Sequence, residues 1–414
     1  MSTRKQKCSW AMNIPACAVN TLPLTLALAV VIVLAQSASA QTFSLLYQFK
    51  AGRDGSNPYA SLILDAKGNL YGTTTIDGAY AYGTVFKVSP TGEEAVLYSF
   101  TGAGGDGANP FSPLVSDSAG SLYGTTENGG TFGGACGALG CGTVFKVGKT
   151  GTETVLYRFS GSPGDGQFPQ QGVVRDSAGN LYGTTFSGGA FGFGTVFRVD
   201  ASGTETVLHS FDSNGTDGAN PFGGSLLRDS AGNLYGTTEF GGSMGVGTVF
   251  KLDPNGNETI LHNFSFSGGD GIVPYGTLIR DPAGNLYGVT NEGGDFSCFS
   301  GSGCGVVYKL DASNNETILY TFTGSGGDGE VPGGGLVRDS AGNLYGTTNS
   351  GGALYAGTVF KIDTRNTETI LHSFSVSDGR DPQLGLVRDS KGNLYGTTQY
   401  GGAYGGGVVF KVTP

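Results

Sequence analysis

The chain is short of charge, of histidine and of cysteine. Only 14% of its 414 residues are Asp, Glu, Lys or Arg, so Ser, Thr, Gly and Asn must cover much of the surface. Beyond residue 40 no stretch repeats its apolar residues with a helical period, which excludes helical bundles and coiled coils. Glycine is abundant, 76 residues, but has no G-X-Y period, which excludes collagen. Apolar residues make up 38% and aromatics 11%. A core can therefore be buried, and a disordered chain is excluded. There is no D-x-D-x-D-G loop of the kind that wraps calcium. The three histidines are His209, His262 and His372; none falls in a loop expected to face the channel, where a lyase or hydrolase would want a base titrating near neutrality.

The first forty residues read differently. Arg4, Lys5 and Lys7 precede an apolar run from Leu22 to Ala35, and Ala38-Ser39-Ala40 fits a small-x-small cleavage site before Gln41. That order predicts a secretory signal peptide over residues 1–40. The run is short of the roughly 20 residues a spanning helix needs, and Cys17 stands before it, unlike a lipoprotein anchor. Removing the segment leaves 20 basic against 33 acidic residues, a net charge of −13. Such a chain is repelled by phosphate backbones, so no nucleic-acid partner is expected.

The remainder is written seven times over. D-S-A-G-N-L-Y-G-T-T begins at Asp176, Asp229 and Asp339, with near copies at Asp65, Asp117, Asp281 and Asp389. The Tyr of L-Y-G recurs at intervals of 52, 59, 53, 52, 58 and 50 residues. Each unit holds four strand-like runs. In the third they are Gly172–Arg175, Asn180–Thr185, Gly194–Val199 and Glu205–Phe211, separated by turn residues. D-x-x-G suits a type I turn between the first two. A four-stranded sheet of about fifty residues has two apolar faces, and stacking copies buries both. The last unit stops after its third strand, Val408–Val412, while Phe43–Phe49 (FSLLYQF) matches the fourth. A split unit completed by the opposite terminus closes a ring. The expected fold is all-β: one domain over residues 41–414, a seven-bladed β-propeller of four-stranded antiparallel blades, with the last blade closed by the N-terminal strand. Phe197, Phe250 and their equivalents are expected to fill the space between blades.

The core L-V-R-D-S-A-G-N-L-Y-G-T-T, then G-G, G-T-V-F-K-V and E-T-V-L-Y-S-F, resembles the GloVer repeat family of choice-of-anchor tandem-repeat proteins over essentially all of residues 41–414. The resemblance implies an exported bacterial propeller with no assigned activity. Many members carry a C-terminal sorting segment. Here Pro414 follows a strand directly, so free secretion is expected over surface attachment. More coarsely, the units look like those of NHL-repeat and streptogramin B lyase propellers.

Two units are longer between their second and third strands, and these hold the four cysteines beyond residue 40. Cys136 with Cys141, and Cys298 with Cys304, read as two local disulfides. No histidine lies near either pair, which argues against zinc.

Three sets of residues are candidates for chemistry. D-G-x-x-P occurs once per unit, at Asp54, Asp106, Asp165, Asp217, Asp270, Asp328 and Asp378. Ahead of the innermost strand, these seven are expected to ring one mouth of the channel. They either turn the chain between blades or offer a cation site or sugar-hydroxyl acceptors. Arg175, Arg228, Arg280, Arg338 and Arg388 precede the hairpin Asp and are expected to pair with that aspartate ring, or to bind an anion at the other mouth. The loops between second and third strands carry Tyr80, Tyr82, Phe132, Phe186, Phe191, Phe193, Phe240, Phe296, Phe299, Tyr355, Tyr400 and Tyr404 among glycines. These aromatics either pack over the blade tops or form a face for sugar or peptide. The histidines occupy one outer-strand position in different blades and are not expected to converge on a metal or substrate. Taken together, the sequence predicts a secreted, non-catalytic, monomeric binding module for glycan or protein, without cofactor, metal or membrane span. The alternatives are a propeller enzyme acting on polysaccharide, as lyase or glycosidase, and a purely structural extracellular protein.

Overall fold

The computed structural model describes residues 41–298 and 301–414. The expected signal peptide and Phe299 lie outside those residues. The local device that starts each blade is the repeated decapeptide. In the first copy Asp65 Oδ1 accepts from the backbone N–H of Lys67 and Asn69 at 2.8 and 2.9 Å. Its Oδ2 accepts from the Asn69 amide at 2.8 Å and the Tyr71 hydroxyl at 3.0 Å. One carboxylate therefore satisfies the turn and anchors the next strand, which is why Asp, Asn and Tyr recur together. Asp176, Asn180 and Tyr182 repeat the arrangement.

Seven four-stranded antiparallel sheets result. Blade one is Ile63–Leu64, Leu70–Thr74, Thr84–Val88 and Glu94–Ser99. Blade seven is Val387–Arg388, Leu394–Thr398 and Val408–Thr413, completed by Thr42–Gln48 from the other end of the chain. Phe43 faces Val412 and Gln48 faces Val408 in that last pairing. The ring is thus closed, as the split unit predicts. First strands are innermost: Leu114, Val173, Leu226, Leu336 and Leu386, from five blades, line one axial cavity.

Third strands are buried on both faces. In Thr84–Val88 only Lys87 keeps partial exposure, because neighbouring blades cover both sides. Their central Phe or Tyr meets the Phe that follows the preceding blade's fourth strand, edge to face. The pairs run Phe100–Phe145, Phe159–Phe197, Phe211–Phe250, Phe264–Tyr308, Phe322–Phe360 and Phe374–Phe410, with centroids 5.0–5.3 Å apart. All these rings are fully buried. The Gly of L-Y-G lies across from the same ring. A Cβ on Gly72 would stand 2.7 Å from Phe86 Cζ, and one on Gly236 would stand 2.6 Å from Phe250 Cζ, so glycine at this position makes room for the aromatic.

The two faces of the ring differ. D-x-x-G hairpins occupy one. On the other, the crossovers between blades pair with the loops that follow second strands, as Gly107–Ala108 does with Asn128–Gly129. The D-G-x-x-P crossovers and the aromatic loops therefore share a face. Cys136 is bonded to Cys141 and Cys298 to Cys304, with Cα atoms 4.8 and 5.8 Å apart.

Candidate functional site

The crossover aspartates do not ring the channel. Each sits where the outermost strand of a blade ends. Asp106 accepts from the Tyr98 hydroxyl at 2.9 Å and the Thr101 N–H at 2.7 Å. Asp54 does the same with Tyr47 and the Lys50 N–H. Asp165, Asp270 and Asp328 cap the same turn from Ser160, Ser265 and Thr323. Asp217 and Asp378 lie beside His209 and His372. The physical reason is reach. Nine positions separate Asp54 from Ile63, enough extended chain, at about 3.3 Å each, to run from the perimeter to the axis. The carboxylate stands at the outer end of that run.

The arginines are corrected too. Arg175, Arg228, Arg280 and Arg338 lie over Tyr123, Tyr182, Tyr235 and Tyr287 of the preceding blades, 5.5–5.8 Å from the ring centres. They join blades by cation–π contact instead of pairing with the crossover aspartates. Among the described residues the ion pairs involving arginine are those of Arg365 and Arg380.

What reaches the axis is the residue after the Pro of D-G-x-x-P. In chain order these are Tyr59, Phe111, Gln170, Phe222, Tyr275, Gly333 and Gln383. Where the blade core repeats, this position changes. The Tyr59 and Tyr275 hydroxyls meet at 2.6 Å. They come from blades one and five, far apart around the ring, and close the channel between them. Phe111 lies edge-on to Tyr59 and Phe222 to Tyr275. Gln170, Gln171 and Leu384 complete the depression. Glycines bring the remaining blades close: a Cβ on Gly224 would overlap the Gly276 backbone, and one on Gly276 that of Gly334.

A second unlike ring surrounds this one, at the residue after L-Y-G-T-T: Thr75, Glu127, Phe186, Glu239, Asn291, Asn349 and Gln399. Gln170 Nε2 donates to Glu127 Oε1 at 2.6 Å, and Asn349 Nδ2 to Gln383 Oε1 at 3.0 Å. Gln170 Oε1, Gln171 Nε2, Asn291 Oδ1 and Asn349 Oδ1 are shut from solvent with no hydrogen-bond partner. Burial raises the pKa of Glu127 against the opposing bond from Gln170. Burial and then the charge of Glu292 raise that of Glu239. Burial raises the pKa of the Tyr59 phenol against the opposing bond to Tyr275, with Glu127 and Glu239 adding to the rise. The mouth thus offers acidic acceptors, amide donors and aromatic faces together.

The loop aromatics stand farther out on the same face, on loops that bond to the ends of outermost strands, Ala79 to Ser99, Ala190 to Ser210, Ala353 to Ser373 and Ala403 to Gln48. Tyr355 is 73% exposed, Phe191 59%, Tyr80 and Tyr404 58%, and Phe240 43%. Most do not pack down over the blade tops. Of the two inner rings, sequence reasoning singled out only Phe186, as a loop aromatic, and missed the rest, although their signal was present: two columns of unlike residues inside an otherwise repeated unit.

The family model for the Gloeobacter/Verrucomicrobia repeat matches residues 32–139, 134–338 and 296–414. The chain belongs to that repeat family. No curated protein matches it. Among solved structures, this Gloeobacter/Verrucomicrobia repeat protein is similar to the extracellular domain of a protein described as a hybrid two-component system from B. thetaiotaomicron. Identity is 15% and the TM-score 0.56, over 90% of this chain and 41% of that one. The repeat protein thus spans well under two thirds of that structure, and the likeness is one of fold. A chain described as a 6-phosphogluconolactonase from Bacteroides uniformis is 18% identical over 79% of this chain and 88% of that one, with a TM-score of 0.49. A gluconolactonase from Xanthomonas campestris is 14% identical, TM-score 0.40, over 65% and 78%.

Proposed function

We propose that this repeat protein is an exported binding module that takes a glycan at the closed mouth of its channel. The observation that carries this reading is the break in symmetry. The interior of every blade repeats, whereas the two innermost rings on one face differ from blade to blade. A ligand without sevenfold symmetry needs such a surface, and the fold does not. The chemistry suits a sugar: Tyr59, Phe111 and Phe222 offer flat apolar faces, while Glu127, Glu239 and Gln170 offer acceptors and donors for hydroxyls. The exposed Tyr355, Phe191 and Tyr404 extend the face for a longer chain. Hydroxyls of a bound sugar would find hydrogen-bond partners in the buried amide atoms of Gln171, Asn291 and Asn349.

Export rests on the predicted signal peptide and agrees with the two disulfides. Its check is N-terminal sequencing of protein recovered from the medium or periplasm, which should begin at Gln41. The binding test is a glycan array probed with residues 41–414. Wild type should bind a defined subset, and Phe222→Ala or Glu127→Gln should weaken that binding at least tenfold while the fold melts cooperatively. Absence of binding to every glycan would count against the proposal.

One observation favours a second reading. Glu127 and Glu239 are carboxyls held above their ordinary range by burial at the same mouth, as a general acid in glycoside hydrolysis must be. Turnover of a bound polysaccharide, abolished by Glu127→Gln or Glu239→Gln, would replace binding with catalysis as the function.

A further inference from the structure

The junctions between blades at the outer perimeter follow one plan, with histidine in place of tyrosine at three of the seven. A side chain from the outermost strand of one blade meets the crossover aspartate and the first residue of the next blade's outermost strand. In the commonest version these are Tyr, Asp and Glu. At one such junction the Tyr98 hydroxyl donates to Asp106 at 2.9 Å, with Glu153 close by. The phenol proton satisfies the aspartate, while Glu153 Oε1 stays buried without a hydrogen-bond partner.

At two of the three histidine junctions the imidazole faces two carboxylates. His262 Nε2 stands 3.7 Å from Asp270 Oδ2 and 3.6 Å from Glu316 Oε1. His209 Nε2 stands 3.2 Å from Asp217 Oδ2 and 3.7 Å from Glu258 Oε1. Within each trio the three donor atoms lie within 4.8 Å of one another. Asp270 is only 8% exposed. Its Oδ1, together with His262 Nε2 and Glu316 Oε1, is closed to solvent and has no hydrogen-bond partner. Glu258 Oε1 is in the same condition, as is the equivalent glutamate oxygen at the tyrosine junctions; what the histidine junctions add is an imidazole nitrogen facing it in place of a phenol.

His209 Nε2 makes a long hydrogen bond to Asp217, but its distance to Glu258 and both distances from His262 are too long for hydrogen bonds to ionised groups, which would draw the atoms to about 2.7–2.9 Å. These spacings do suit a cation at the centre. Bonds of roughly 2.0–2.2 Å to nitrogen and oxygen in a tetrahedron put neighbouring donors about 3.3–3.6 Å apart. Two carboxylates buried together also repel unless a positive charge lies between them. One imidazole with two carboxylates is a donor set that zinc accepts, with water as the fourth ligand.

We propose that His209–Asp217–Glu258 and His262–Asp270–Glu316 each bind one zinc-type divalent cation. The first site joins blades three and four and the second joins blades four and five, so blade four is held on both sides. The third histidine provides a control within the chain. His372 lies beside Asp378 at 3.1 Å, but the glutamate position is taken by Phe43, whose ring stacks on the imidazole at 3.7 Å. With one carboxylate missing, this junction takes no metal.

The test uses untagged protein stripped with chelator, dialysed against zinc chloride and assayed for bound zinc by elemental analysis and calorimetry. Wild type should hold two ions per chain and melt at a higher temperature with zinc than without. His209→Tyr and His262→Tyr install the side chain that sister junctions already carry, so the fold should persist, as circular dichroism will verify. Each should hold one ion, the double variant none, and His372→Tyr still two. No zinc bound by wild type, preference for calcium or magnesium over zinc, or undiminished zinc in the double variant would overturn the proposal.

Discussion

The ring of Phe49 meets that of Phe86 edge to face with centroids 5.0 Å apart. Phe49 directly follows the strand that completes blade seven, and Phe86 is in the third strand of blade one. This is the seventh of the aromatic joints between blades, and it is made by the two ends of the repeat array. Phe86→Ala should therefore cost as much as a substitution at any interior joint, about 3–5 kcal/mol. Chemical denaturation of Phe86→Ala beside Phe250→Ala measures this. A loss at Phe86 below about 1 kcal/mol would mean that the ends do not bear load.

Gly236→Ala should destabilise the fold by roughly 1–3 kcal/mol, although alanine is ordinarily tolerated in strands. The added methyl would stand 2.6 Å from Phe250 Cζ and 2.9 Å from Leu226 Cδ2. The double variant Gly236→Ala/Phe250→Leu should lose less than the sum of the two single changes. Strict additivity would show that the two side chains do not compete for the same space.

Stability should peak in mildly acidic solution. Burial, followed by the charge of the neighbouring aspartate, raises Glu94, Glu153, Glu205 and Glu368 to about 7 and Glu258 to about 8. A carboxyl whose pKa is raised on folding contributes fully below its unfolded value, about 4.3, and that contribution is lost as pH rises through 7–8. The hairpin aspartates behave oppositely. At Asp176 and Asp229 burial works against ionisation, but the Asn side chain, backbone N–H groups and Tyr hydroxyl outweigh it and lower the pKa. Their contribution is lost as pH falls below about 4. Metal-free protein should melt highest near pH 5 and at lower temperature at both pH 3 and pH 8.5. Glu205→Gln should flatten the alkaline limb. A melting temperature that climbs steadily from pH 5 to 8.5 would contradict this assignment.

The exposed loop aromatics should be silent in stability. Tyr355→Ser and Phe191→Ser remove side chains that are 73% and 59% exposed and should change unfolding free energy by no more than about 0.5 kcal/mol. If they support a longer ligand, affinity falls while the denaturation curve does not move. A large loss of stability would place them in the packing of the blade tops instead.

Blade number, strand order and ring closure were legible because each rests on residues repeated seven times. Asp65, Asn69 and Tyr71 are one hydrogen-bonded unit, and any copy identifies the rest. The site was less legible for the opposite reason. Tyr59, Gln170 and Tyr275 share a position but not a chemistry, so they look like noise within a repeat. Only the fold shows that this position reaches the axis, where unlike residues from distant blades touch. The crossover aspartates were misplaced because a sequence records that Asp54 precedes the inner strand, but not that the connection first crosses the width of a blade. His209 and His262 were set aside because different blades place them apart on the rim. Their partners are carboxylates of the crossover and the next blade, Asp217 with Glu258 and Asp270 with Glu316, not one another.

The most direct measurement is a calorimetric titration of the best-binding polysaccharide against wild type, Phe222→Ala, Glu127→Gln and, on the opposite face, Lys149→Ala. The account predicts affinity at least tenfold weaker in the first two variants and unchanged in the third, with all four folded. Equal affinity across the set would place recognition elsewhere on the molecule.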